Sequence, residues 1–277
     1  MCHNKWMNAT GGVSVKPYRM LKTTIFKKGE QYTEDDAVAI ETALELRLDD
    51  EFIAAFVCSP GMEEDLAVGF LLSSGLLKKP EDIKSVRLMN NRCSVSLKEG
   101  VEIQRREDVT VRRVVTSDCS APDILRTLRT GGDIPHLDFE IDIAPETIMQ
   151  IVSEMRESQD IHRKTGATHA ALIRELASKS TILAEDLGRH NAVDKCIGAA
   201  VSSSLNPKNC ILVSSGRLTA DVVSKCSWAS IPLLVSSSVA TDAGVKAAEK
   251  ANVTLIGSLR GGKMRLYHEG AGKLTRK

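Results

Sequence analysis

Cys210-Ile-Leu-Val-Ser-Ser-Gly-Arg-Leu-Thr-Ala-Asp-Val-Val-Ser-Lys225 holds a short apolar run, a polar Ser-Gly-Arg turn and a helix-patterned stretch in direct succession. A run this short and apolar at every residue fits a strand buried on both faces, and the segment after it carries apolar residues at helical spacing. Four more runs have the same character: Ala170-Ala-Leu-Ile173, Thr181-Ile-Leu-Ala184, Ile231-Pro-Leu-Leu-Val235 and Val253-Thr-Leu-Ile256. Helical stretches lie between the later strands, at about 190 to 204, 219 to 229 and 241 to 251. Pro145-Glu-Thr-Ile-Met-Gln-Ile-Val-Ser-Glu-Met155 opens with proline at a helix start. Strand and helix alternating at this interval predict a layered α/β domain with a largely parallel sheet. No internal repeat is expected.

Outward toward the N-terminus the texture changes. Ala37-Val-Ala-Ile-Glu-Thr-Ala-Leu-Glu-Leu-Arg-Leu48 alternates toward its end, Asp49-Asp50 stands where a turn belongs, and Phe52-Ile-Ala-Ala-Phe-Val57 follows, which is a hairpin pattern. After Ser59-Pro60-Gly61, the carboxylates Glu63-Glu64-Asp65 open Leu66-Ala-Val-Gly-Phe-Leu-Leu72, a helix with acid at its positive end. Val86-Arg-Leu88, Cys93-Ser-Val-Ser-Leu97, Val101-Glu-Ile103 and Val109-Thr-Val111 read as further strands. The expected organisation is a flexible 1–17, a strand-rich domain over 18–116 with one helix, a loop and linker over 117–144 carrying Cys119, and an α/β domain over 145–277.

The 277 residues carry 37 Lys and Arg against 36 Asp and Glu, a formal charge of +1. Such neutrality and a 4% aromatic share argue against a nucleic-acid-binding protein. Residues 84 to 115 are locally basic, with eight Lys and Arg against four Asp and Glu, which reads as a solvated sheet face. Leu66 to Leu77 is too short for the roughly 20 apolar residues of a membrane-spanning helix. The first residues lack the apolar centre of a secretory signal, so a cytoplasmic location is expected. Seven cysteines, odd in number and without a Cys-x-x-Cys pair, speak against a disulfide framework and against a four-cysteine zinc site.

In α/β sheets ligands sit beyond the carboxyl ends of strands, where loops enter helix N-termini. Three polar clusters fall there. Glu185-Asp-Leu-Gly-Arg-His-Asn-Ala-Val-Asp-Lys195 follows one strand, and a helix starting near His190 places His190 with Asp194 and Asn191 with Lys195. Ser215-Gly-Arg217 follows the next, with Arg217, Asp221 and Lys225 expected as one stripe. Gly257-Ser-Leu-Arg-Gly-Gly-Lys263 follows the last. Glycine at such a turn admits close backbone approach to phosphate, and arginine pairs with it bidentately, so the clusters together suggest a phosphate-rich ligand. Their bland reading is capping plus intrahelical ion pairs. His169, in Thr165-Gly-Ala-Thr-His-Ala-Ala171, has Ala171 where a zinc deaminase places glutamate. Cys119 lies in the polar stretch Ser117-Asp-Cys-Ser120, where an exposed thiol can act as nucleophile or persulfide carrier.

Asp186-Leu-Gly-Arg-His-Asn-Ala-Val-Asp-Lys195 resembles the signature of the formate dehydrogenase accessory protein family, FdhD/NarQ. Asp65-Leu-Ala-Val-Gly-Phe-Leu-Leu-Ser-Ser-Gly75, the His169 stretch, Ser215-Gly-Arg217 with Lys225, and Leu255-Ile-Gly-Ser-Leu-Arg260 match in the family order, although Ser74 stands where the family usually has glutamate. The resemblance implies a cytoplasmic sulfurtransferase, homodimeric, that takes sulfur from a cysteine desulfurase and passes it to molybdenum bis(molybdopterin guanine dinucleotide) for formate dehydrogenase. It also implies a C-terminal domain of cytidine-deaminase-like fold without zinc chemistry. The family's loop Cys-x-x-Cys corresponds to Cys119-Ser-Ala-Pro122, with the first cysteine kept and the second replaced by Pro122. The residues expected to work are therefore Cys119 as persulfide carrier; Arg189, Arg217, Arg260 and Lys263 on phosphates; and Gly188, Gly216, Gly261 and Gly262 for backbone approach. Ser258, Leu259 and Ser215 belong to the same loops. His169, His190, Asn191, Asp194 and Lys195 are expected around the guanine or pterin, and GDP is expected to mimic the cofactor. The alternative is a chaperone that delivers the cofactor without moving sulfur.

Overall fold

The computed structural model describes residues 16–101, 103, 113–115 and 134–275. Strands β1 (Tyr18–Lys27) and β2 (Glu30–Ala39) pair with each other in a two-stranded antiparallel sheet. A second sheet, in the order β5-β6-β3-β4-β7, contains β3 (Thr42–Leu48), β4 (Glu51–Cys58), β5 (Ile83–Met89), β6 (Arg92–Leu97) and β7 (Arg113–Val115). The β3–β4 turn is Asp49-Asp50, with φ of 44° and 65°; two successive positive φ angles suit the right-handed twist of a tight hairpin. Alternation then puts Leu44, Leu46, Leu48, Ala54 and Phe56 on one face, where they pack against helix α1 (Glu63–Ser73). Helix α1 is buried from Leu66 to Ser73, and Phe70 meets Phe56 edge to face at 5.0 Å.

The C-terminal unit is built on a six-stranded sheet in the order β10-β9-β11-β12-β13-β14. Its elements are β8 (Ile141–Ile143), α2 (Pro145–Glu157), α3 (Asp160–Thr165), β9 (His169–Glu175), β10 (Thr181–Asp186), α4 (Arg189–Ser202) and β11 (Cys210–Ser214). Then come α5 (Ala220–Trp228), β12 (Leu233–Ser236), α6 (Asp242–Ala251), β13 (Thr254–Arg260), β14 (Lys263–His268) and β15 (Gly272–Leu274), the last paired in parallel with β8. Helix α2 covers one face, over Leu172, Ile211, Val213, Leu233 and Val235. Helices α4, α5 and α6 cover the other, over Ile173, Leu212, Leu234 and Leu255.

Three expectations need correction. The sheet is mixed: only β11-β12-β13 run parallel, while β9 opposes both its neighbours and β14 opposes β13. Residues 176–180 between β9 and β10, and Gly261-Gly262 between β13 and β14, are far too short for the crossover that parallel pairing requires. The linker expected over 117–144 gives its last part to the C-terminal core, because Ile134 and Leu137 are buried there and β8 pairs with β15. Finally, β11–α5 and β12–α6 are two copies of one unit. Leu212-Val-Ser-Ser215 and Leu234-Val-Ser-Ser237 lie in register, and Leu218 bridges Ala240. Gly216 N–H donates to Ser214 Oγ at 3.1 Å just as Ser238 N–H donates to Ser236 Oγ at 2.9 Å.

The two halves meet where α1 crosses α4. A Cβ on Gly69 would stand 1.8 Å from the Asp194 carbonyl oxygen, and one on Gly198 would stand 2.0 Å from that of Asp65. Only glycine on both helices permits so close an approach. Among the described residues no helix is long and apolar enough to cross a membrane.

Candidate functional site

Strands β10, β11, β12 and β13 end at one edge of the sheet, and β9, running the other way, begins there. Asp186 therefore pairs with His169, and Ser214 with both Ala171 and Ser236, so that the polar ends of four strands share a rim. The rim has an upper layer open to solvent and a buried layer beneath it.

The upper layer is built around the Ser-Gly-Arg turn. Ser215 Oγ accepts from Ala170 N–H at 3.0 Å and lies 3.2 Å from His169 Nδ1. Burial, with the Arg189 charge beside it, holds His169 below the ordinary imidazole range, which keeps the ring neutral at pH 7. Gly216 is needed because the side chain of Arg189 lies over it: a Cβ there would come within 2.8 Å of Arg189 Cδ. Arg189 Nε is shut off from solvent and has no hydrogen-bond partner among the described residues. Arg217 is exposed on the loop before α5 instead of lying on the helix, so the expected Arg217–Asp221–Lys225 stripe does not form, and Lys225 turns to Asp194.

The third cluster joins this rim through the second copy of the β–turn–α unit. Ser258 N–H donates to the Ser238 carbonyl at 2.6 Å, and Gly257 leaves room where a Cβ would meet that oxygen at 2.8 Å. Ser258 (φ 56°), Gly261 (56°) and Gly262 (71°) adopt the left-handed backbone of a tight hairpin end. Arg260, Gly261, Gly262 and Lys263 are exposed, whereas Leu259 is buried and its carbonyl accepts from Arg156 Nη2 at 2.6 Å.

The buried layer contains the rest of the signature. Asp186 Oδ2 accepts from Ser59 N–H at 2.9 Å and meets Lys195 Nζ at 2.7 Å; its Oδ1 accepts from Gly188 N–H and Asn191 Nδ2, each at 2.9 Å. Lys195 also donates to the Ser59 carbonyl at 2.8 Å, and Asn191 to that of Val57 at 2.9 Å. One turn further along α4, Asp194 accepts from Ser73 Oγ at 2.6 Å and from Lys225 Nζ at 2.7 and 2.8 Å. Every one of these clusters spans the two halves of the chain. Asn191, Asp194 and Lys195 are at most 3% exposed, so they clamp the N-terminal half beneath the rim and do not line it. His190, among the buried neighbours of Lys225 and Arg189, is pushed down to about 3, first by burial and then by those charges.

Sequence reasoning missed Ser59 and Ser73 as partners of the signature. Their only signals were the Ser-Pro-Gly turn and a serine at a helix end, neither of which names a contact more than a hundred residues away. Cys119 lies outside the described residues. The five described cysteines, Cys58, Cys93, Cys196, Cys210 and Cys226, are all buried. Burial pushes the thiols of Cys58, Cys93 and Cys210 up to about 12 and raises Cys196 and Cys226 as well. Among the described residues no three His, Cys, Asp or Glu side chains come together as a metal-binding group.

Known proteins share this arrangement over most of the chain. A protein from Wolinella succinogenes named sulfur carrier protein FdhD is 33% identical over 254 residues, covering 90% of this chain and 88% of its own. One of the same name from Saccharolobus solfataricus is 32% identical, covering 92% of this chain and 97% of its own. A crystal structure assigned as a formate dehydrogenase accessory protein from Desulfotalea psychrophila superposes with a TM-score of 0.72 at 25% identity, covering 91% of this chain and 97% of that one. The profile of the FdhD/NarQ family matches residues 39–273, a span that holds the five-stranded sheet, the buried clamp and the whole rim, and the chain belongs to that family.

Proposed function

We propose that this protein is a cytoplasmic, homodimeric sulfur carrier for formate dehydrogenase, loaded by a cysteine desulfurase and delivering to molybdenum bis(molybdopterin guanine dinucleotide) as its bound substrate. The observation that carries the reading is the match of the whole rim and clamp to relatives named sulfur carriers. The thiols support it by their distribution. The five described cysteines are buried and raised far above neutral pH, so none offers a thiolate for attack, which leaves Cys119 and Cys2 of the seven. Cys119 is the one that matches the family's loop.

Loading needs only a thiol exchange. The Cys119 thiolate attacks the outer sulfur of the desulfurase persulfide, the S–S bond breaks, and the desulfurase cysteine leaves as thiolate. A second loop cysteine is not required for that step, so Pro122 is compatible with it. The rim fits a ligand bearing phosphates: the exposed cations Arg217, Arg260 and Lys263 border a turn where Gly216 bares the backbone and Arg189 keeps an unmatched donor. Neutral His169, fixed through Ser215, suits hydrogen bonding to a guanine or pterin edge.

Restoration of formate dehydrogenase activity in a strain lacking this gene tests the reading. Cys119→Ala is expected to abolish restoration, and Arg217→Ala with Arg260→Ala to weaken it. Full restoration by Cys119→Ala, with loss in the arginine variants, would replace the carrier by a cofactor-delivering chaperone.

A further inference from the structure

The duplicated β–turn–α unit provides an internal control, because corresponding residues of its two copies occur side by side in one sheet. Thr219 precedes α5 as Thr241 precedes α6, each five residues after the serine that ends the strand. Both have extended N-cap backbone, with φ of −100° and −97°. In the second copy Thr241 Oγ1 accepts from Gly244 N–H at 3.1 Å, which satisfies one of the helix's free donors. In the first copy Thr219 makes no such bond: α5 has no side-chain cap, and Thr219 Oγ1 is closed off from solvent with no partner. A buried hydroxyl left unmatched is unfavourable and rare. On the same turn, Gly216 replaces the Ser238 of the second copy and lets Arg189 lie across it, and Arg189 Nε is likewise buried and unmatched. The second copy instead closes on itself, its Ser238 carbonyl taken by Ser258 N–H.

We propose that Thr219 completes a phosphoryl-binding pocket at the N-terminus of α5, in which its hydroxyl and the uncapped first turn face an oxyanion that Arg189 Nε also holds. The ligand class is a pyrophosphate-bearing nucleotide. Two buried donors, a helix N-terminus and the exposed Arg217 together match a multiply charged phosphoryl group. The inference rests on the phosphate reading of the rim, and Thr241 marks the copy in which the same position became structural.

Titration calorimetry of the full-length protein with inorganic pyrophosphate and with GDP, beside thermal unfolding, separates the possibilities. Thr219→Val is expected to weaken both ligands about tenfold, the loss of one hydrogen bond to a charged group, without lowering the melting temperature. Thr219→Ser is expected to bind as the wild type. Thr241→Val is expected to do the opposite, lowering the melting temperature by about 2–4 °C, as loss of a helix cap does in a chain of this size, with affinity kept. Unchanged affinity in Thr219→Val, with the wild type binding both probes, overturns this pocket and leaves the phosphate reading of the rim standing. A fall in melting temperature in Thr219→Val that matches that of Thr241→Val makes the hydroxyl structural and overturns it too. Absence of binding of either probe to the wild type overturns the rim reading itself.

Discussion

Replacing Lys195 by methionine removes the cation from a carboxylate that has no access to water. In the wild type Lys195 is 1% exposed and Asp186 0%, and their 2.7 Å contact is backed by the Ser59 carbonyl on the lysine and three further donors on the aspartate. The methionine chain fills nearly the same space, so the packing loss is small and the electrostatic loss dominates. An unpartnered buried charge of this kind costs about 3–5 kcal/mol. That is a large share of the roughly 5–15 kcal/mol that holds a typical domain folded. Because Asp186 also holds Ser59 N–H, the destabilisation should reach the β4–α1 connection. Urea unfolding monitored by far-ultraviolet circular dichroism measures it. Adding Asp186→Asn to Lys195→Met removes the stranded charge, and the double variant is expected to be more stable than Lys195→Met alone. A single variant within about 1 kcal/mol of wild type, or a double variant no better than the single, would refute the buried clamp as an energetic coupling between the halves.

Two further outcomes follow from the buried groups. His190 is held at about 3 in the fold against 6.5 for a free imidazole, so the unfolded chain binds the extra proton and stability is lost as pH falls below about 6.5. Between pH 7 and 5 the wild type should lose about 2 kcal/mol relative to His190→Gln in urea unfolding; Asp65, pushed up to about 6, acts with the opposite sign but equally in both proteins and cancels. A pH-independent difference between the two proteins would show that His190 is protonated in the fold. Titration of the native protein with a thiol reagent should label at most two cysteines rapidly, with the five buried ones reacting only after denaturant is added. Rapid labelling of Cys58 or Cys226 in the native state would contradict their burial.

The local elements were readable because their signals are local. The Asp49-Asp50 turn, the carboxylates opening α1 and the proline opening α2 each lie within a few residues of the element they define. Helical spacing likewise put Asn191 and Lys195 on one face of α4, and both do reach Asp186. What that face meets was not readable, since Ser59, Val57 and Ser73 lie more than a hundred residues away and no spacing rule connects them. The expected ligand contacts of Asn191, Asp194 and Lys195 became internal contacts for that reason. Sheet direction was misjudged although the short connections around β9–β10 and β13–β14 already dictated antiparallel pairing. The duplicated unit escaped notice because one copy has Gly-Arg where the other has Ser-Val, which hides the match between Leu212-Val-Ser-Ser215 and Leu234-Val-Ser-Ser237.

The most direct test of the sulfur-carrier reading is the intact mass of the protein after incubation with a cysteine desulfurase, cysteine and pyridoxal phosphate, compared with Cys119→Ala. The account predicts an added sulfur on the wild type that is absent from the variant. An unmodified wild type beside an active desulfurase, or a sulfur retained by Cys119→Ala, would contradict it.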